Sequence, residues 1–365
     1  MDLEISKKSL FTGIARTHAV ADRKSSMPIL SNVLLAADED GALRFAATDL
    51  YLAVNASAEA KVKRGGSVAI SARTLFDIVK NLPEGEVKLS VDKNHAVQLR
   101  SGKIKFRIPG MPGEDFPPLP SPGEAAFAEL EAGTLGQLIG LTQYSMSSDD
   151  TRPNLAGTLF EGDGKVVRMV TTDGHRLSKA ESPSPGIPTF TMLVPQKGIL
   201  ELRRLIDKQQ GSIGVASVGG SAFFRRPDAT LSVKLADEQF PPWRKVVPSS
   251  HIHRVVAARE LLVDATRRVA LVASDKGGGV RLILEPGKIE IVSENPDVGE
   301  GSEEIDVDFA GEKVVMGANA RYMLDALSAL PDDEVVLKLN SELEPIVVSP
   351  LHDDRFEAVI MPQRI

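Results

Sequence analysis

The stretch with the most evident capacity for reaction chemistry is Thr171-Thr172-Asp173-Gly174-His175-Arg176-Leu177, where a carboxylate and an imidazole stand two residues apart. A positioned Asp–His pair can shuttle a proton. No serine in a strand-to-helix elbow accompanies it as a nucleophile. The same residues also spell a tight turn, with Asp173 capping it and Gly174 supplying a positive φ. His251 and His253 form an HxH pair without the further His or carboxylate spacing of a zinc site. There is no glycine-rich phosphate loop ending in Lys-Ser/Thr, and no GxGxxG entering a helix. Cysteine is absent, which excludes disulfides, thiol catalysis, Cys-ligated zinc and iron–sulfur clusters. No catalytic residue set, metal or cofactor is expected.

Composition sets wide bounds. The 365 residues are 42% apolar and 25% charged, ordinary for a globular protein of two or three domains. No run approaches the roughly 18 apolar residues that span a bilayer, and Met1-Asp2-Leu3-Glu4 lacks the order of a signal peptide. A cytosolic location with no membrane partner is expected. The net charge is −7 and the pI about 5.5. An acidic total leaves nucleic-acid binding open, because the local field matters more than the sum.

The elements that must position these residues recur. An amphipathic segment from Lys7 to Val20 carries Leu10, Phe11, Ile14 and His18 at helical spacing. A second, Thr134 to Met146, carries Leu135, Leu138, Ile139 and Thr142; a third, Glu260 to Val272, carries Leu261, Ala265, Val269 and Val272. Their starts lie roughly 126 residues apart, the mark of an internal repeat. Ala47-Thr48-Asp49 is echoed by Thr171-Thr172-Asp173 and more loosely by Ser293-Glu294-Asn295. A second helix begins at Ser71, Pro195 and Ala318 in turn, and the first and third end in Leu82-Pro83 and Leu330-Pro331, a helix stop. Alternating runs such as Val87 to Val91, Lys103 to Ile108, Leu231 to Leu235 and Val335 to Leu339 predict half-buried strands. The chain therefore reads as α+β: three repeated domains, each of two helices and about eight strands. Their expected limits are 1–122, 128–247 and 249–365, with Pro/Gly-rich linkers at Pro109 to Pro122 and Phe240 to Ser250.

Basic residues sit on one face of several of these helices. Lys197, Arg204 and Lys208 fall at i, i+7 and i+11, opposite Ile199, Leu202, Leu205 and Ile206. Arg73 and Lys80 repeat the seven-residue spacing, and Lys24 follows the first helix. Such cations can neutralise phosphates without reading bases, which yields sequence-independent, salt-sensitive binding of duplex DNA. Ordinary solvated helix faces look the same in sequence.

Met27-Pro28-Ile29-Leu30-Ser31-Asn32, Thr172 to Leu177, Val194-Pro195-Gln196-Lys197-Gly198, Asp237 to Val246 and the terminal Val359-Ile360-Met361-Pro362-Gln363-Arg364-Ile365 closely resemble the bacterial DNA polymerase III beta subunit family. The similarity spans the whole chain in nearly constant register. It implies a sliding clamp: three domains of DNA-clamp (processivity) fold, two chains closing head to tail into a ring around duplex DNA, with helices lining the hole. It implies a non-catalytic processivity factor. Its partners would be the replicative polymerase alpha subunit, the clamp loader, other polymerases and repair proteins.

The resemblance further implies that those partners insert short linear peptides into one apolar pocket per chain, between the second and third domains. Matching positions are Leu155, Thr172, Gly174, His175, Arg176, Leu177, Pro241, Val246, Asn319, Tyr322, Ile346, Val359, Met361 and Pro362, with His175, Arg176 and Asn319 holding the peptide backbone. It places the strand bearing Lys103, Lys105, Phe106 and Ile108 against the third domain of a second copy. There Leu271 and Val272 would supply apolar contact, and Glu300, Glu303 and Glu304 opposite charge. Four positions depart from the family pattern: Pro153-Asn154 replaces two tyrosines, Lys245 an arginine and Ile365 a leucine. Two competing readings stay open on residues alone: an enzyme centred on Asp173 and His175, and a duplicated scaffold that binds peptides without DNA.

Overall fold

The computed structural model describes residues 1–22, 24–149, 151–206, 211–273 and 278–364. Six α-helices are found among them: α1 (Lys7–Thr17), α2 (Ala72–Lys80), α3 (Ala132–Thr142), α4 (Gln196–Ile206), α5 (Arg259–Val269) and α6 (Ala320–Ala329). Local chemistry sets their starts. Ser6 accepts from Ser9 N, Ser71 from Thr74 N and Asn319 from Tyr322 N, each quenching an orphan amide at a helix N-terminus. The apolar periodicity then turns one face inward, burying Leu10 and Ile14 in α1 and Leu135, Leu138 and Ile139 in α3. In α1, Gly13 lies so close to the Phe45 ring that a Cβ would meet it at 2.3 Å, so the helix can pack there only without a side chain. One expectation needs correcting: Leu261 is 54% exposed, and the buried face of α5 is Leu262, Val263, Ala265, Thr266 and Val269.

The described chain divides into two compact units, Met1–Gly133 with Leu200–Leu235 and Thr134–Ile199 with Ala236–Ile365. The division falls inside α3 and α4, and so within the middle repeat. Sheet topology explains this. The first unit holds a five-stranded and a nine-stranded antiparallel sheet; the second holds an eight-stranded and a four-stranded one. In the nine-stranded sheet the first repeat gives five strands and the second repeat four, joined where Leu52–Glu59 pairs with Ala229–Lys234. In the eight-stranded sheet the second and third repeats give four each, joined where Arg176–Pro183 pairs with Phe356–Ile360. Each seam continues a hydrogen-bonded ladder, so a boundary between repeats is not a boundary between compact bodies.

The Pro-rich stretches are likewise part of the packed structure. Gly110–Pro112 pairs with Val68, Ala69 and Ile70, and Phe116 and Leu119 join the cluster around Ile29, Leu30, Ala46 and Ala69. In the later stretch Trp243, the chain's single tryptophan, is buried with Leu159, Val170, Leu177, Val347 and Val359.

Candidate functional site

The Thr172–Arg176 turn links Val166–Thr172 to Arg176–Pro183. Its geometry answers the acid–base reading. Asp173 Oδ1 accepts from the amides of His175 (2.9 Å) and Arg176 (3.0 Å), and Oδ2 accepts from Arg176 Nε (3.0 Å). The Thr172 hydroxyl donates to Arg176 O at 2.6 Å and accepts from Gly174 N at 3.1 Å. Gly174 takes φ +92°, a left-handed value that glycine adopts at little cost. The carboxylate is committed to folding the chain, while the His175 ring stands exposed. Its carbonyl accepts from Met361 N at 3.0 Å, which binds the C-terminal segment to the turn.

Arg176 is the anchor. Its side chain is 8% exposed, and besides Asp173 it donates to Asp325 Oδ2 on α6 and to Tyr144 O, both at 2.6 Å. Its guanidinium lies 4.4 Å from the Tyr322 ring centroid and 5.4 Å from that of Tyr144. A buried guanidinium satisfied on every side is stable; removing one partner leaves charge uncompensated. The Arg176 groups thus have internal partners, and the residue positions the turn. Behind it Ser178 donates to Tyr144 Oη at 2.7 Å, and burial pushes that hydroxyl up to about 12.

The strand register builds an apolar floor beside this turn. Leu177 pairs with Val359, and Val359 with Val347, so three side chains from adjacent strands share one face. Phe240, Val246 and Val247 pack against the cluster from its partly exposed side. Leu155 lies next to the turn, within 4.0 Å of where a Gly174 Cβ would stand. Pro241, Tyr322, Met361 and Pro362 are half-buried around it, and Asn319, also half-buried, caps α6. Ile346 differs. It pairs with Ile360, itself paired with Arg176, so it faces the opposite side of the sheet from Leu177 and Val359 and is fully buried. Period-two alternation forces that separation. Of the expected fourteen positions, Leu177 and Val359 share this face, Val246 packs against it and Leu155 lies beside the turn, whereas Arg176 shares the register of Ile346 and Ile360. Asp325, Tyr144, Phe240 and Trp243 belong with them and were missed. Asp325 stands one helical turn from Tyr322, the one sequence signal that pointed to it.

The basic residues are exposed as expected, and several carry partners. Arg73 Nε is 3.6 Å from Asp77 Oδ2, Arg204 is paired with Glu201, and Lys80 Nζ lies 6.0 Å from the Phe76 ring. Lys24 and Lys197 are exposed; Lys208 lies outside the described residues. Carboxylates beside Arg73 and Arg204 thus reduce the cationic character of these faces. His251 and His253 have no metal-site geometry: among the described residues no group of three acidic or histidine side chains is placed to share an ion.

Two of the sheet edges carry the residues expected at a seam between copies. Ile104–Ile108 ends the five-stranded sheet; Ile104 and Phe106 are exposed, Ile108 is buried, and Lys103 and Lys105 have no ion pair among the described residues. Gly299–Asp306 ends the four-stranded sheet. Beside it Leu271 is 79% exposed, and Val272 Cγ2 comes within 3.2 Å of the Cβ position of Gly301. Glu303 is held by Arg268 (2.5 and 2.7 Å) and Glu304 by Lys288 (2.7 Å), while Glu300 is exposed and unpaired among the described residues.

Fold and site define a class: a triplicated α+β chain whose repeats share sheets, with an apolar slot at one seam and an open half-sheet in each unit. Models of the DNA polymerase III beta subunit match in series, the N-terminal domain over residues 1–120, the central domain over 129–242 and the C-terminal domain over 244–364. The beta sliding clamp of Caulobacter vibrioides is 32% identical over 375 residues and the two cover each other fully. The crystal structure of the DNA polymerase III subunit beta from Pseudomonas aeruginosa superposes with a TM-score of 0.96 at 30% identity, covering both chains fully. A sliding clamp from the same organism bound to griselimycin gives 0.95 at 30% identity, again with full coverage. The chain belongs to the DNA polymerase III beta subunit family, the bacterial beta sliding clamps.

Proposed function

We propose that two copies of this chain close head to tail around duplex DNA and act as a non-catalytic processivity factor. The carrying observation is the strand count. The nine-stranded sheet is five strands of one repeat continued by four of the next, and the chain leaves over one five-stranded and one four-stranded half-sheet, each with an open edge. Ile104–Ile108 of one copy laid against Gly299–Asp306 of another would complete a third shared sheet of the same make-up. Exposed apolar edges otherwise invite uncontrolled pairing, and closure removes them. Phe106 and Ile108 would meet Leu271 and Val272, with Lys103 and Lys105 opposite Glu300 and, by exchange of internal partners, Glu303 and Glu304. A surrounding ring needs no tight DNA contact, so modest cationic faces on Lys24, Arg73, Lys80, Lys197 and Arg204 suffice for sequence-independent sliding.

The slot at the second seam is the docking site for partners such as the polymerase alpha subunit and the clamp loader. Aliphatic, Met and aromatic side chains around one concave apolar surface suit a short linear peptide held at roughly micromolar strength, about −8 kcal/mol. The double variant Val246→Ala, Met361→Ala trims two half-buried side chains at its rim and should weaken such a peptide about tenfold, or 1.4 kcal/mol. Fluorescence anisotropy with a labelled C-terminal peptide of the alpha subunit measures this. Unchanged affinity would remove the slot reading. The repeats of 1–122, 128–247 and 249–365 serve as the three domains of each copy, acting in the cytoplasm at the nucleoid.

A further inference from the structure

The turn that borders the slot exists twice. At the first seam Thr48-Asp49-Leu50-Tyr51-Leu52 repeats its threonine-hydroxyl and aspartate Oδ1 bonds, without the Arg176 bond to Oδ2. The Thr48 hydroxyl donates to Leu52 O (2.7 Å) and accepts from Leu50 N (2.9 Å), and Asp49 Oδ1 accepts from Tyr51 N (2.9 Å) and Leu52 N (2.6 Å). Lys234 N donates to Tyr51 O at 2.8 Å, where the second seam has Met361 N and His175 O. Ala53 pairs with Ser232, where the second seam pairs Leu177 with Val359. Phe116-Pro117-Pro118-Leu119 stands in for Phe240-Pro241-Pro242-Trp243. At this spot is a cavity of about 200 Å³ lined by Ala53, Asn55, Leu119, Pro120, Thr230 and Ser232.

The floor differs from that of the slot. Ser232 stands where the other seam has Val359 and Ala53 where it has Leu177, while the uncharged Asn55 and Thr230 take the places of Lys179 and Glu357. Leu50 and Tyr51 are 55% and 67% exposed, and Leu50 holds φ +75°, strained for a side chain, where the sister turn has glycine. The Lys234 Nζ lies 5.7 Å from the Tyr51 ring centroid and has no carboxylate partner among the described residues. A lone cation and an exposed aromatic ring beside a polar cavity complement an anionic segment.

We propose that the first seam is a second peptide site, one that takes an extended acidic segment, its backbone along the Leu50–Tyr51 turn and a carboxylate between Lys234 and the polar floor. The inference rests on the reading of the second seam as a peptide slot. The test is fluorescence anisotropy on the full-length protein with a fluorescein-labelled hexapeptide of alternating glutamate and serine. Saturable binding of one peptide per chain is expected, unchanged in Val246→Ala, Met361→Ala and weakened about fivefold or more in Lys234→Glu and in Ser232→Leu. Lys234→Glu alters an exposed side chain and leaves the fold intact, so it decides the matter if Ser232→Leu misfolds. Absence of saturable binding, or equal binding by Lys234→Glu, overturns the proposal. Loss of the hexapeptide in Val246→Ala, Met361→Ala also overturns it, by assigning the peptide to the other slot. Failure of the slot reading shows separately, as undiminished alpha-subunit peptide binding by that double variant.

Discussion

Arg176 shows how far a single residue can be read from its neighbours in sequence. Its pairing with Asp173 is local and legible, but Asp325 lies 149 residues away and Tyr144 contributes a backbone carbonyl, which no side-chain pattern announces. The Asp173–His175 spacing allowed proton transfer but favoured a turn, and the two amides on Asp173 Oδ1 bear the turn out. Asp325→Ala should cost about 1–2 kcal/mol, less than a fully buried pair because Asp325 is a third exposed and two partners stay on Arg176. Urea unfolding measures the cost; a midpoint matching the wild type would show that the bond carries no weight. Leu50 makes the opposite prediction. Leu50→Gly relieves a left-handed leucine whose side chain is mostly in solvent, and should stabilise by up to about 1 kcal/mol, net of glycine's extra unfolded entropy. A lower urea midpoint for Leu50→Gly would mean the side chain contributes packing.

At the scale of elements, period was the reliable guide. The helical spacing found α1 to α6; the third and fourth bury the side chains it named, the first buries Leu10 and Ile14 and half-buries Phe11 and His18, whereas Leu261 was assigned inward one residue out of phase on a helix with five charged residues. Edges were less legible: Lys103 to Ile108 reads as a strand, yet nothing in it says whether a neighbour follows. If the open edges pair between copies, Leu271→Ala with Val272→Ala should yield monomers, and sedimentation of a persistent dimer at nanomolar concentration would count against that seam. Charge pairs fasten the other edge of the five-stranded sheet. Hydrogen bonds from Lys63 and Lys88 hold Glu4 down at about 2 against an ordinary 4.5. The folded value being the lower, this pairing contributes above about pH 4.5 and is lost as pH falls from there toward 2. Glu4→Gln should therefore flatten the acid limb of stability between these values and leave the neutral-to-alkaline limb parallel to the wild type; an unchanged acid limb in urea midpoints would refute the assignment.

For the whole molecule, the threefold repeat was plain in the sequence, from helix starts to the Thr-Asp turns. What the repeat concealed is that its copies join edge to edge into common sheets. A ladder such as Leu52–Glu59 with Ala229–Lys234 joins residues more than 170 apart and leaves no periodic trace, so linkers were expected where Phe116, Leu119 and Trp243 in fact pack. That same joining leaves the chain with two half-sheets, which the proposed ring of two copies would complete. The direct test is retention on DNA of two topologies after loading with a cognate loader and ATP, comparing a nicked circular plasmid with the same plasmid linearised. Retention on the circle with loss from the free ends is the result a ring predicts. Equal retention on both forms, or none on either while the loader is demonstrably active, would contradict it.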